Sequence, residues 1–130
     1  MLLFINPDFK NKAGQDLEAK LSDLCPDGCM EIYNSLSSFE YRIRKKIHDI
    51  DLLILFIPDV EILAIAENMR EEIAGLPLVI LVGPKVAKEK KRLYRFFPRI
   101  ILPAGERSGI IENFVKAKTE PFYVLKSVQK

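Results

Sequence analysis

Apolar residues in this chain fall into short unbroken runs, separated by longer stretches of helical spacing. The run Leu52 to Ile57 shows no alternation of apolar and polar positions, so neither of its faces is meant for water. It sits between Asp49-Ile50-Asp51 and Pro58-Asp59. A continuous apolar run of that length, closed by proline, predicts a central parallel strand covered on both faces. Leu2 to Ile5, closed by Asn6-Pro7-Asp8, and Pro77 to Val82, closed by Gly83-Pro84, repeat the pattern. Met30 to Tyr33 reads as a short edge strand, and Ile100 to Leu102 as a short fifth strand before Pro103-Ala104-Gly105.

Between the runs the period changes. Ala13, Leu17, Leu21 and Leu24 recur at helical spacing from Lys12 to Leu24, and Pro26-Asp27-Gly28 ends that helix. Ser37 or Ser38 is placed to cap a second helix, whose inward stripe is Phe39, Ile43 and Ile47 and whose Arg42, Arg44, Lys45 and Lys46 face water. A third helix, Val60 to Ala74, turns Ile62, Ile65, Ala66, Met69 and Ile73 inward and stops at Gly75. A fourth, Lys85 to Phe97, puts Val86, Leu93 and Phe97 on one side and ends at Pro98. A fifth, Ser108 to Lys118, runs through Ile111, Phe114 and Val115. Pro121 then opens a tail with apolar Phe122, Tyr123, Val124 and Leu125, whose place the pattern does not fix.

Five strands alternating with five helices over short connections predict a three-layer α/β sandwich of the flavodoxin-like kind, with a five-stranded parallel sheet in order 2-1-3-4-5. Ligands of such sheets bind beyond the carboxyl ends of the strands. The candidate site is therefore Asn6-Pro7-Asp8, Pro58-Asp59, Gly83-Pro84 and Leu102-Pro103-Ala104.

The 130 residues suit one domain, and a net charge of +2 is too small to argue globally for nucleic acid. No apolar run approaches the ~20 residues of a spanning helix. The start, Met1-Leu2-Leu3-Phe4, lacks a basic leader, so the expectation is a cytoplasmic protein. Cys25 and Cys29 flank a turn and read as two reduced thiols, with a local disulfide or redox pair as the alternative. The single histidine, His48, leaves a zinc site short of ligands, and no Ser, Cys or acid is arranged with it for catalysis. No residue set calls for a cofactor.

The order of elements and the placing of prolines over roughly residues 1–118 resemble the receiver domain of bacterial response regulators, with 119–130 left as a tail. Asp-Leu-Leu-Ile-Leu at 51–55 is similar to that family's third strand, Pro-Leu-Val-Ile-Leu-Val at 77–82 to its fourth, and Ile-Ile-Leu-Pro at 100–103 to its fifth. The resemblance implies positions for phosphoryl chemistry, and their residues are wrong for it. The acidic pair after strand one falls on Asn6 and Pro7, with Asp8 one place on, although a divalent cation needs oxygen ligands. The phosphoacceptor falls on Phe56, the hydroxyl near Val82 or Gly83, the lysine on Leu102 and the aromatic switch on Arg99. The resemblance therefore implies a degenerate receiver that is not an enzyme. Asp8 and Asp59 are left to cap helices, or with Asn6 to share a cation.

Charge supplies the most specific local signal. Lys85, Lys88, Lys90, Lys91, Arg92, Arg95 and Arg99 are opposed within their segment by Glu89 alone, with Tyr94 and Phe96 among them, whereas the third helix carries Glu61, Glu67, Glu71 and Glu72. A solvated helix face explains such a cluster. So does a docking face for an acidic protein partner, formed by Lys88, Lys91, Arg92, Arg95 and Arg99. In the receiver family the fourth helix, fifth strand and fifth helix make the dimer and output surface, so the resemblance implies a homodimer or partner face there. Two other readings compete with this phosphorylation-independent docking module. A small-molecule or anion-binding protein lacks a Gly-rich phosphate loop, a nucleophile–base pair and a metal cluster. A nucleic-acid or membrane binder would use the basic helix without any sequence-reading motif.

Overall fold

The computed structural model describes residues 2–7, 10–25, 28–45 and 50–104. The predicted last helix, the tail, Asp8 and His48 lie outside them. Five strands, β1 (Leu2–Ile5), β2 (Met30–Tyr33), β3 (Leu52–Ile57), β4 (Leu78–Val82) and β5 (Ile100–Pro103), form one all-parallel sheet in order β2-β1-β3-β4-β5. This is the flavodoxin-like arrangement. Every residue of β1, β3 and β4 is buried, because each of these strands has a neighbour on both edges and a packed layer on both faces. The edge strand β2 is half-exposed.

The side chains of one strand alternate between two cores. Leu3, Ile5, Leu53, Leu55, Ile57, Ile80 and Val82 face one layer, and Phe4, Ile54, Phe56, Leu81 and Leu102 face the other. Helix α1 (Lys12–Leu24) covers the second face through Leu17 and Leu21. Helices α2 (Leu36–Lys45), α3 (Val60–Glu67), α4 (Arg70–Ile73) and α5 (Lys90–Tyr94) line the first. The strand order reverses after β2, and right-handed crossovers then send α1 and the later helices to opposite faces.

Several helical details differ from the pattern reading. The cap of α2 is Ser35, not Ser37 or Ser38: its Oγ accepts from the Ser38 amide at 3.1 Å. Arg42 does not face water. Its side chain is 11% exposed and its Nε bonds Glu31 Oε2 at 2.9 Å, tying α2 to the edge strand. The third predicted helix is two helices. Asn68 and Met69 bond only three residues back, at 3.2 and 2.9 Å, and Met69 takes φ −110°, ψ 14°. Within α3 the inward face runs through Leu63 and Ala66, which leaves Ile65 48% exposed, and after the break Met69 and Ile73 are again inside. Gly75 is not a left-handed stop, since the only glycine with positive φ among the described residues is Gly28. The fourth predicted helix is a 3₁₀ turn, Val86–Lys88, followed by the short α5. The tighter turn and the kink at Glu89 (φ −91°, ψ 45°) advance the helical phase, so Phe96 fills the core and Phe97 stands 75% exposed. Among the described residues, no helix is long and apolar enough to cross a membrane.

Candidate functional site

The carboxyl ends of β3, β4 and β5 surround a cleft of about 600 Å³. Its lining includes Phe56, Pro58, Val82, Gly83, Pro103 and Ala104, with Asn11 from the start of α1. Among the described residues it is lined by no charged side chain. Register explains how the candidate residues meet. Phe56 pairs with Leu81 and Leu81 with Leu102, so Phe56 and Leu102 share one rung and one core. Val82 lies one rung further, beside Ile57 and Pro103, and its side chain faces the opposite core. Phe56 is buried and forms part of the cleft floor. Of the three, Phe56 and Val82 line the cleft and Leu102 does not. Phenylalanine, valine and leucine offer only apolar surface.

Asn6 is fully buried and held in a polar network. Its Nδ2 donates to Glu18 Oε1 at 3.0 Å. Asn34 Nδ2 donates both to the same oxygen at 3.0 Å and to the Asn6 carbonyl at 3.2 Å. The network ties the end of β1 to α1 and to the turn after β2. The Glu18 carboxylate fixes the amide orientation, because only Nδ2 can donate to it. Oδ1 is left without a hydrogen-bond partner among the described residues and lies against Gly14, where a Cβ would stand 2.6 Å away. Asp59 is an N-cap: its Oδ1 accepts from the Ile62 amide at 2.8 Å. The corresponding cap of α1 is Asn11, whose Oδ1 accepts from Ala13 and Gly14 at 2.9 and 3.4 Å. The described residues bring together no group of three or more His, Cys, Asp or Glu that could hold a metal ion. Cys25 and Cys29 are free thiols, and burial, aided by Cys29, pushes the Cys25 thiol up.

The basic segment divides in two. Lys88, Lys91, Arg95 and Arg99 are exposed and make no ion pair among the described residues. Arg92 does not belong with them. Its guanidinium forms a two-pronged bond with Glu67 of α3, Nε to Oε2 at 3.2 Å and Nη2 to Oε1. The acidic and basic helices are thus neighbours joined by a fork. Sequence spacing could not reveal this, since the partners are 25 positions apart.

The hydrogen bonds from Arg92 hold the Glu67 carboxyl below the usual glutamate range, against the opposing effect of burial; the charges of Arg92, Arg70 and Arg95 add to the lowering. A depressed folded-state pKa stabilises the fold above the ordinary glutamate pKa, and the contribution is lost as pH falls through the folded value. Glu67→Gln is accordingly expected to lower Tm near neutrality and to lower it less as pH falls through the carboxylate range. Melting curves of both proteins across pH measure this, and a pH-independent difference would contradict the pairing.

Sequence reading also missed Arg70 and Phe97 as neighbours of Arg95, with which they line a depression of about 320 Å³. The dipeptide Phe97-Pro98 at a helix end was the available signal. Comparison of the chain with models of known protein families, with curated proteins and with solved structures returned no match.

Proposed function

We propose that this chain is a non-catalytic docking module on a receiver-like, flavodoxin-like scaffold, acting without aspartyl phosphorylation and binding an acidic protein partner. The observation that carries the reading is the exposed row Lys88, Lys91, Arg95 and Arg99, which finds no carboxylate among the described residues while Arg92 beside it does. Folding pairs one of the five cations assigned to the docking face and leaves four for something else. The cleft is in keeping with the same reading, since its described lining, Phe56, Pro58, Val82, Gly83 and Pro103 among it, is mostly apolar.

The test has two arms. In the first, wild-type protein and the double variant Lys88→Glu, Lys91→Glu are used to capture a partner at rising salt. Steering by complementary charge predicts capture that is salt-sensitive, slower to form in the double variant, and lost at moderate ionic strength. Both positions are exposed, so melting should stay within about 0.5 kcal/mol of wild type. In the second arm, incubation with acetyl phosphate and magnesium should leave the intact mass unchanged. A gain of one phosphoryl group would overturn the non-catalytic reading, and capture indifferent to the reversal would overturn the docking face. Loss of self-association in the double variant would identify a second copy of the chain as the partner.

A further inference from the structure

We propose that Arg70, Arg95 and Phe97 form a seat for a short acidic peptide segment bearing an aromatic side chain among its carboxylates. The proposal rests on the docking reading and names the chemistry of its partner. Phe97 is the residue that asks for an explanation. It is 75% exposed and has φ 52°, the only positive φ of a non-glycine residue among the described residues. A bulky side chain in that region is a true outlier. It also precedes Pro98, and proline pushes the residue before it toward extended conformations.

The backbone around Phe97 is pinned from both sides. Phe96 is fully buried in the first core, and the Phe97 amide bonds the Tyr94 carbonyl at 3.0 Å, closing the helix. Two residues later the Arg99 amide bonds Leu78 at 2.7 Å and starts the β5 pairing. The turn between those anchors has to be sharp, and glycine would make it at least cost. The chain places there a large apolar side chain that the core does not use.

The surroundings select the partner. Arg95 and Arg70 line the same depression as Phe97 and form no ion pair among the described residues, because Glu67 is already held by Arg92. Arg70 also lines a second depression, together with Glu67, Asn68, Glu71 and Glu72. A long polyanion crossing Arg70 would meet those carboxylates. A short segment would not. One or two carboxylates on Arg70 and Arg95, with an aromatic ring against Phe97, match what is exposed. This seat lies at the amino ends of β4 and β5, opposite the cleft.

The test uses fluorescence anisotropy with a fluorescein-labelled peptide in which glutamates flank one phenylalanine. A serine-for-phenylalanine peptide and a labelled single-stranded oligonucleotide serve as comparisons. Saturable binding of the first peptide should weaken at least ~10-fold in Phe97→Gly and in Arg95→Glu, as for loss of a central anchor. The serine peptide should bind as weakly as the variants do. Lys85→Glu, exposed on the same basic segment but outside both the seat and the docking face, should change affinity by no more than about twofold. Phe97→Gly should also melt above wild type, because it relieves the left-handed backbone while removing the anchor. A residue serving the fold alone would lower Tm. That result would overturn the seat, as would no saturable peptide binding, binding indifferent to Phe97 and Arg95, or an oligonucleotide bound with the same Phe97 dependence. Peptide binding lost in Lys88→Glu but kept in Phe97→Gly overturns the seat and leaves the wider docking face standing. Partner capture indifferent to the Lys88, Lys91 reversal overturns that face instead.

Discussion

Replacing Phe56 with alanine is expected to destabilise the fold by about 3–5 kcal/mol, read as a shift of the urea midpoint. The side chain belongs to the central strand, is buried, and packs in the second core with residues such as Ile54, Leu81 and Leu102. Domains of this size have roughly 5–15 kcal/mol in total, so one truncation would remove a large part of the margin. Its place on the cleft floor makes the outcome informative about function. A residue kept for ligand contact could be shortened at little cost to folding, whereas a residue that fills the core could not. Phe56→Asp should cost more than the alanine variant, because an ionised carboxylate would then be buried with no cation to meet it. A loss below about 1 kcal/mol for the alanine variant would show the floor to be loosely packed and the cleft to be a built binding site.

The sheet was legible because its evidence is local. Leu52 to Ile57 and Leu78 to Val82 are unbroken apolar runs, and burial on both faces leaves such a strand no position for a polar residue. The single-turn errors arose where helices are short. A period of 3.6 residues predicts the inward face only while the helix continues, so the 3₁₀ turn before α5 exchanged Phe97 for Phe96, and within the short α3 the inward stripe took Leu63 in place of Ile65. The candidate cleft was legible as a place, since the carboxyl ends of β3, β4 and β5 follow from the strand order, and Phe56, Val82 and Pro103 line it there. What was not legible was pairing across the fold. Arg42 with Glu31 and Arg92 with Glu67 are decided by which helix lies beside which, and this removed one of the five cations assigned to the docking face. Asn6 is a similar case, its role set by Glu18 and Asn34 from two other elements.

Gly83→Ala should be the most damaging of the small substitutions, costing about 3 kcal/mol, the upper end of the usual range for overpacking. The reason is close approach, since Gly83 does not have a positive φ. A Cβ built at Gly83 would stand 2.3 Å from the Pro58 carbonyl oxygen and 3.1 Å from its carbon. The obstacle is backbone, so no rotamer change relieves it. Gly83 cannot retreat either. Its amide bonds the Ile57 carbonyl at 3.0 Å, and its own carbonyl accepts from Val86 and Ala87 at 3.1 and 3.2 Å, starting the 3₁₀ turn. The added methyl would force apart the exits of β3 and β4, where the cleft begins, and disturb the turn that leads into the basic helix. Gly75→Ala supplies the control. Nothing stands within 4 Å of a Cβ there and φ is not positive, so the change should be neutral or stabilise by about 0.4–1 kcal/mol through the unfolded chain. Denaturant midpoints of the two variants should therefore move in opposite directions or differ widely. If Gly83→Ala unfolds like wild type, the contact with Pro58 is looser than drawn, and the narrow exit between β3 and β4 is not a fixed wall of the cleft.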